Sequence, residues 1–428
     1  MPHFEHSIDK IKELDNQDPL RSMRSEFHHP MIEGKQALYF TGNSLGLQPK
    51  AVKEVIDQEL DDWAKWGVEG HFHAKRPWFS YHEFFTEKAA ELVGAKNHEV
   101  VMMNGLTVNL HLLLTSFYRP TRERFKLLTE KKAFPSDQYA VESQIKLHGL
   151  NLEEALVEVG PRKGEETIRK EDILAAIEEH GDQLACVMIG GVNYYTGQVF
   201  DMATIAKASH DKGAYCGFDL AHAAGNIELK LHEWDVDFAC WCTYKYLNSG
   251  PGGISGAFVH ERNGLDKSTP RLAGWWGYDK SKRFEMAEGF QPIEGAEGWQ
   301  LSNAPVFAMA PHLASLEQFS RIGMKALCEK SAQLTAYLEF EVERISGALT
   351  SGRLEIITPK AAKERGCQLS IVAHGYGKSL FDHLNKEAVI SDWREPNVIR
   401  MAPVPMYNSF EDIYRFAEIL EAGCKELS

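Results

Sequence analysis

The sequence predicts an α/β fold, in which a large domain with a mostly parallel central sheet is followed by a smaller C-terminal α+β domain. Between about residues 98 and 260, short apolar runs alternate with helical patterns, as in βαβ units. From about residue 330 the pattern changes to a long helix followed by short strands. The chain has 428 residues, of which 43% are hydrophobic and 25% charged, an ordinary composition for a globular protein with a large core.

These patterns divide the chain into three segments. We expect residues 1–60 to form an N-terminal segment whose helix packs on the small domain. Residues 61–325 are predicted to form the large α/β domain, and residues 326–428 the small domain. No repeat or low-complexity tract interrupts this order.

The elements of the first two segments follow from the spacing of their apolar residues. Val52, Val55, Ile56, Leu60 and Trp63 recur at helical intervals and predict a helix from about 50 to 66. Compact apolar runs predict buried strands, because each is too short for a helix and is bounded by turn or helix signals. These runs span residues 99–103, 125–128, 184–189, 214–218 and 236–242, with a helix at 202–207.

The elements of the C-terminal segment are predicted in the same way. A long helix is expected near 331–349, followed by strands at 354–357, 368–372 and 398–401. A final helix is predicted from about Phe410 to the end, with Asn408 and Ser409 as its cap.

Chemistry-bearing side chains follow two of the predicted strands. Asp219 and His222 come directly after the run at 214–218, and Lys245 follows the run at 236–242. Ligands of open α/β sheets collect at the carboxyl ends of parallel strands, so these side chains should meet in one crevice. Such a set suits pyridoxal phosphate, because a lysine binds its aldehyde and a carboxylate keeps its pyridine nitrogen protonated. The alternatives are a helix cap for Asp219, a core imidazole for His222 and a solvated turn for Lys245.

A phosphate site is predicted after the strand at 99–103. Gly105 forms a turn, and Thr107 opens an apolar helix whose unpaired N–H groups and dipole favour an anion. In isolation, a plain helix cap is the favoured interpretation of the same residues.

A second candidate contact with a flat ring follows the strand at 125–128. Phe134 could stack on a heterocycle and Asp137 could interact with the same ring. The alternative is an ordinary X-Pro turn in which Asp137 caps a helix that starts at Gln138. Trp275 and Trp276, which are flanked by glycines, could wall a planar ligand or could simply pack.

Several classes of function are excluded by composition. The net charge is −14 and no basic block occurs, so we expect no nucleic-acid partner. No apolar run reaches the ~20 residues that span a bilayer, and the N-terminus does not resemble a signal peptide. The seven scattered cysteines indicate reduced thiols in a cytoplasmic protein, with Cys240 and Cys242 assigned to packing. No metal site is predicted, because no further ligand follows His222 at ligand spacing.

Together these motifs resemble the kynureninase family of pyridoxal-phosphate enzymes, which has fold type I and belongs to the aspartate aminotransferase superfamily. The resemblance covers nearly the whole chain. The motifs that carry it are Phe40-Thr-Gly-Asn-Ser-Leu-Gly-Leu47, Gly105-Leu-Thr-Val-Asn-Leu-His111, Phe134-Pro-Ser-Asp137, Tyr194-Tyr-Thr-Gly-Gln198, Gly217-Phe-Asp-Leu-Ala-His-Ala223, Asp237-Phe-Ala-Cys-Trp-Cys242, Tyr244-Lys-Tyr-Leu-Asn248, Gly274-Trp275 and Arg400-Met-Ala-Pro-Val-Pro405.

The resemblance implies a role for individual residues. Lys245 would bind the cofactor covalently, and Tyr244 and Asp219 would join it in catalysis. Arg400 would clamp the substrate carboxylate, with His71 near the aryl group and Asn303 also touching substrate. The implied cofactor contacts are Leu106, Thr107, Phe134, Pro135, Ser136, Asp137, Asp219, His222, Tyr244, Lys245, Trp275 and Asn303. Trp275 and Asn303 would be donated across the interface of a homodimer.

One position departs from the family pattern. Gly190 stands where a serine is expected in some relatives, so the resemblance implies no side-chain contact with the cofactor there.

The implied activity is hydrolysis of L-kynurenine, and of 3-hydroxy-L-kynurenine, to an anthranilate and L-alanine, in tryptophan catabolism or pyridine nucleotide biosynthesis. Two alternatives share the fold, a class V aminotransferase and a cysteine desulfurase. A desulfurase needs a reactive thiolate on a mobile loop, for which only Cys367 is roughly placed. A non-catalytic scaffold is a third alternative, but it would have no use for a buried lysine.

Overall fold

A computed structural model describes residues 4–286 and 288–428; residues 1–3 of the N-terminus discussed above lie outside the described residues. The helices are α1 (Ile8–Gln17), α2 (Val52–Trp66), α3 (Gly70–His73), α4 (Glu83–Val93), α5 (Leu106–Phe117), α6 (Pro135–Leu147), α7 (Leu152–Ala155), α8 (Lys170–His180), α9 (Met202–Asp211), α10 (Glu261–Gly264), α11 (Val306–Ile322), α12 (Met324–Ala348), α13 (Lys378–Lys386) and α14 (Phe410–Glu426). The strands are β1 (Met31–Ile32), β2 (Lys35–Gln36), β3 (Leu38–Tyr39), β4 (Val100–Met102), β5 (Lys126–Glu130), β6 (Leu156–Val159), β7 (Leu184–Gly190), β8 (Tyr215–Asp219), β9 (Phe238–Cys242), β10 (Ser255–Val259), β11 (Arg353–Ile356), β12 (Leu369–His374), β13 (Val389–Ile390), β14 (Asp392–Arg394) and β15 (Val398–Met401).

The centre of the molecule is a seven-stranded sheet with the order β4-β10-β9-β8-β7-β5-β6. Strand β10 runs antiparallel to both of its neighbours, and the other pairs in this sheet are parallel. The predicted mostly parallel sheet is therefore confirmed. Because the parallel strands end at one edge, they bring the residues that follow them to a common crevice.

Both faces of this sheet are buried. Along β4, Val100 and Met102 belong to one apolar cluster, whereas Val101 and the following Met103 belong to another on the opposite face. This alternation follows from the two-residue period of a strand. Burial on both faces explains why the strands were recognisable as continuous apolar runs.

A second, four-stranded antiparallel sheet has the order β11-β12-β15-β14. It shares an apolar core with α12 and α14. Ile11, Leu38 and Phe40 of the N-terminal segment belong to the same core. Ser409, one of the two residues predicted as the cap, is the N-cap of α14 and forms a capping box with Asp412.

Helix α2 confirms the predicted helix near 50–66, but two of its apolar residues face outward although Val52 is buried. Leu60 and Trp63 are 46% and 58% exposed, whereas Glu59 and Asp62 are buried. The Glu59 carboxylate accepts hydrogen bonds from Arg76 Nε (2.7 Å), Trp78 Nε1 (3.1 Å) and Tyr81 Oη (3.0 Å). These hydrogen bonds make the burial of Glu59 possible. With the acid side of the helix buried, Leu60 and Trp63 lie on the surface.

The helices of the described part of the chain were also compared with the thickness of a bilayer. None of them combines the length and the apolar character that a membrane crossing requires.

Candidate active site

A cavity of about 650 Å³ lies where β5, β7 and β8 end and α5 begins. Most of the residues predicted to bind a cofactor line it. These are Leu106, Thr107, Phe134, Ser136, Asp137, Asp219, His222, Tyr244, Lys245 and Asn303. The volume is within the range of small-molecule sites.

Lys245 is held at the base of this cavity. Its Nζ lies 3.0 Å from His222 Nε2 and 5.6 Å from the centroid of the Phe134 ring. Burial, together with the nearby cations Lys245 and Arg400, holds the pKa of His222 well below its ordinary value. The neutral imidazole therefore accepts a hydrogen bond from Lys245 at Nε2, and its buried Nδ1 has no partner among the described residues.

Two carboxyl groups face each other beside this lysine. Asp219 ends β8 and accepts a hydrogen bond from the Ala221 N–H at 2.7 Å. Burial, and then the negative charge of Asp219, raise the pKa of Asp137 well above its ordinary value. Burial raises the pKa of Asp219 too, but the hydrogen bond from Asp137, the Ala221 N–H and the Lys245 cation all act to lower it, so Asp219 is the member of the pair that loses its proton first.

The N-terminus of α5 opens into the same cavity. The helix begins at Leu106, one residue before the predicted start, and its N-cap Gly105 has no side chain to occupy the first N–H groups. Thr107 is therefore inside the first turn and does not itself cap the helix. The unpaired N–H groups and the helix dipole form an anion site.

The segment around Phe134 does not form the X-Pro turn followed by a helix from Gln138 that the alternative interpretation required. Helix α6 begins at Pro135, so Asp137 lies in its first turn and is not the cap of a helix starting at Gln138. Phe134 and Asp137 project into the cavity from this turn, and Ser136 Oγ donates to Asp137 Oδ1 at 3.0 Å. Pro135 provides the first residue of the helix and does not line the cavity.

Tyr244 completes the wall next to Lys245. Burial raises the pKa of Tyr244 above its ordinary value, and the neighbouring thiol of Cys242 acts in the same direction. The hydroxyl is therefore protonated at neutral pH and is able to donate a proton.

Arg400 lies on β15 behind the cavity lining. It is almost fully buried, donates to the Tyr194 carbonyl and forms an ion pair with Asp392. Its Nε has no partner among the described residues. Arg394 is paired with the same Asp392, at 3.1 Å.

Besides Pro135 and Arg400, three predicted residues do not line the cavity of their own chain. His71 bonds to the Val68 carbonyl at 2.9 Å and contacts the Trp78 ring. Trp275 is exposed and contacts Phe284. Trp276 is buried beneath Arg283, so of the two interpretations left open by the sequence, packing describes it.

Asn303, unlike His71 and Trp275, lies at the cavity of its own chain. It was expected to be donated across a dimer interface, but it borders the cavity of its own chain. It is an exposed residue and lies shortly before α11, at the mouth of the site.

Sequence reasoning missed Glu130, Asn104, Tyr194 and Ser255, which also line the cavity. Glu130 was detectable, because β5 extends to it and the rule that selected Asp219 applies equally to an acid that ends a strand. Burial raises the pKa of Glu130 to about 7, against the lowering effect of its hydrogen bond from Asn193.

The thiols do not support a desulfurase. Cys367 is buried, and burial raises its pKa to about 12. The remaining six cysteines are also buried, except Cys328, which is half-buried with its pKa raised by burial to about 11. A persulfide-forming thiolate requires the opposite environment.

Known proteins similar to this chain cover it almost completely. The family profile described as the kynureninase C-terminal domain matches residues 327–420. A protein named kynureninase from Flavobacterium psychrophilum is 56% identical over 99% of both chains. One of the same name from Homo sapiens is 49% identical over 95% of this chain and 91% of its own.

Solved structures of lower identity share the fold. The cysteine desulfurase CsdA from Escherichia coli has a TM-score of 0.76 at 16% identity, covering 96% of this chain and 99% of its own. A variant of C-DES, with glycine covalently linked to its PLP cofactor, has a TM-score of 0.75 at 15% identity, covering 90% and 96%. These similarities confirm the predicted fold type.

Proposed function

This chain belongs to the kynureninase family, and on that premise we propose that it hydrolyses L-kynurenine, and 3-hydroxy-L-kynurenine, to an anthranilate and L-alanine with pyridoxal phosphate as cofactor. One observation supports this most strongly. Lys245, the charged Asp219 and the N-terminus of α5 line one cavity, which provides an amine, an acid and an anion site for a single ligand.

The residues present fit this cofactor. The free N–H groups of α5 suit its phosphate, and Asp219 suits a protonated pyridine nitrogen. The buried, unpartnered Nδ1 of His222 is an orphaned polar atom that a bound ligand would satisfy. Phe134 provides an aromatic face for the ring.

Individual residues of the chain then have separate roles in the reaction. When bound, the cofactor supplies an aldehyde that captures the substrate amine and a cationic ring that withdraws electrons from the neighbouring carbon. Arg400 binds the substrate carboxylate, and Lys245 Nζ takes the proton from the substrate α-carbon and returns a proton to that carbon after the carbon–carbon bond has broken. Water adds to the γ-carbonyl and the β–γ bond breaks. The Tyr244 hydroxyl donates a proton to the β-carbon that becomes the methyl group of alanine.

A homodimer is part of the proposal. We infer that six exposed aromatic or aliphatic side chains form one apolar face next to the cavity, since Trp63 contacts Phe307 and Trp275 contacts Phe284. They are Leu60, Trp63, Phe72, Trp275, Phe284 and Phe307. Trp63 and Phe307 are in contact, with ring centroids 5.9 Å apart, and Phe307 adjoins the cavity-lining Ala308. A second copy docked here would bring its Trp275 and His71 to this cavity.

A cytoplasmic location completes the proposal. All seven cysteines are free thiols, which suits a reducing compartment.

The test is a spectrum of the purified protein with and without kynurenine. We expect a visible cofactor band and anthranilate fluorescence on adding substrate. Lys245→Ala should abolish turnover and change the visible band, because the covalent bond to the cofactor is lost. Lys230→Ala, an exposed lysine elsewhere on the surface, should change neither. Absence of anthranilate from the wild-type protein, or an unaltered Lys245→Ala spectrum, would contradict the proposal.

A further inference from the structure

The carboxylate of Glu130 lines the cavity, but none of the reaction steps above uses it. It ends β5 and is only 3% exposed. Its Oε2 accepts a hydrogen bond from Asn193 Nδ2 at 3.0 Å. A Cβ atom on Gly190 would lie 2.8 Å from Glu130 Oε1, so the carboxylate fills the space that a side chain on Gly190 would need.

The same Asn193 side chain also holds a tight turn in place. Its Oδ1 accepts hydrogen bonds from the backbone N–H groups of Tyr195 and Thr196, both at 3.0 Å, and from Thr196 Oγ1 at 3.1 Å. One side-chain oxygen thus fixes the path of the chain through Tyr194. The amide of Asn193 is anchored in turn by Glu130.

The turn contacts both halves of the proposed site. The Tyr194 carbonyl accepts a hydrogen bond from Arg400 Nη1. The Tyr194 ring packs edge-on against Phe134, with ring centroids 5.2 Å apart at 80°. A shift of this turn would therefore move the guanidinium that binds the substrate carboxylate, and it would also move the part of the cavity wall that Tyr194 forms beside Phe134.

We propose that Glu130 is a positioning residue for substrate binding: through Asn193 it holds the Tyr194 turn, which orients Arg400. This inference rests on the proposed function of Arg400 as the carboxylate clamp. Its buried carboxylate is also close enough to Asp219 for the two charges to interact, so a direct role in cofactor chemistry is the competing explanation that the experiment must separate.

The primary test compares Glu130→Ala with Asn193→Ala in the holoenzyme. Each should raise the KM for kynurenine about tenfold, the size expected for one lost hydrogen bond to a charged group, while kcat falls less than about threefold. The Kd for L-alanine, measured by its effect on the visible spectrum, should rise by a similar factor. The spectrum without ligand should be unchanged.

A double-mutant cycle tests whether Glu130 acts on the Tyr194 turn through Asn193. Because both side chains act through one turn, the Glu130→Ala/Asn193→Ala enzyme should show a KM close to that of either single variant. If the increases in KM of the two single variants multiplied in the double variant, the inference would be overturned. Asn193→Ala alone carries the test if Glu130→Ala fails to fold, and an unchanged KM in that variant would also overturn it.

Two further variants serve as controls. Glu130→Gln keeps an oxygen for Asn193, so KM should rise less than about threefold. Glu158→Gln, an exposed acid on the adjacent strand β6, should leave both constants unchanged. A fall in kcat at unchanged KM, or loss of the cofactor band, in Glu130→Ala would assign Glu130 to cofactor chemistry and overturn the inference. Failure of the wild-type protein to make anthranilate would instead refute the proposed function.

Discussion

At the scale of the residue, the imidazole of His312 makes a testable contribution to pH dependence. It is enclosed in α11, stacks on Phe85 with ring centroids 5.7 Å apart, and bonds to Ser315 at 3.0 Å. Burial lowers its pKa to about 3. The folded protein therefore keeps this ring neutral, while the unfolded chain takes up a proton below its ordinary pKa of 6.5. Stability is lost as the pH falls from 6.5 towards 3.

The expected size of this effect is about 2 kcal/mol at pH 5. His312→Phe should reduce the loss of unfolding free energy between about pH 7.5 and 5 by this amount, which urea titrations at both pH values would measure. The comparison between pH values removes any constant packing cost of the variant. His73→Phe, at an exposed histidine, should leave the pH dependence as it is. An identical pH dependence in His312→Phe and wild type would refute the assignment.

The residues of the site show which side chains are predictable from sequence. Asp219 and Lys245 were found because each follows an obvious apolar strand, and the sheet topology then places them together. Glu130 was missed because the predicted strand stopped at residue 128, two residues short of its actual end. Asn193 could not have been found, since its role depends on contacts across 63 positions of sequence.

At the scale of the element, α2 binds the segment that follows it through buried acids. Glu59 accepts three hydrogen bonds from residues 76–81, and Asp62 accepts the Lys75 N–H at 3.1 Å. These contacts hold the 70–81 segment, which carries His71, against the helix. Removing an acceptor here leaves several buried donors unpaired.

Glu59→Leu is therefore expected to lower the free energy of unfolding by about 3 to 5 kcal/mol, because Arg76, Trp78 and Tyr81 lose their common partner. Thermal or urea denaturation would measure this loss. Glu59→Gln, which keeps one acceptor, should lose less. Glu54→Leu, at an exposed position of the same helix, should change stability by less than about 0.5 kcal/mol. Equal losses in the two leucine variants would contradict this account.

The same helix shows a limit of periodicity. Apolar spacing predicted that α2 exists and nearly where it begins and ends, but it did not show that Leu60 and Trp63 are exposed. A stripe of apolar residues identifies a face that is covered by something, which can be another subunit as well as the chain's own core. Strand β10 was missed for a different reason, since its five residues include Ser255 and Gly256 and follow a glycine turn.

At the scale of the whole molecule, the exposed apolar face predicts the assembly. Trp63→Asp should convert the proposed dimer into monomers, because it places a charge in the centre of an apolar interface. Sedimentation velocity would show the change in mass. Turnover should fall more than tenfold, on the order of the loss when a site lacks residues from its partner.

A matched control separates assembly from general surface damage. Leu147→Asp changes an exposed apolar residue on α6, outside the exposed apolar face, and should leave both mass and turnover unchanged. A wild-type protein that sediments as a monomer, or a Trp63→Asp protein that remains a fully active dimer, would rule out this face as the interface.

The pairing of β4 has a consequence for the order of events during synthesis on the ribosome. Met102 finds its partner in Gly256, so the edge strand that leads into the phosphate-binding turn waits unpaired until β10 has left the exit tunnel. Nascent chains that end before Ser255 would already contain Lys245 and Asp219 but would lack the strand that pairs with β4. The edge strand that leads into α5 can therefore join the sheet only after residues 255–259 have emerged.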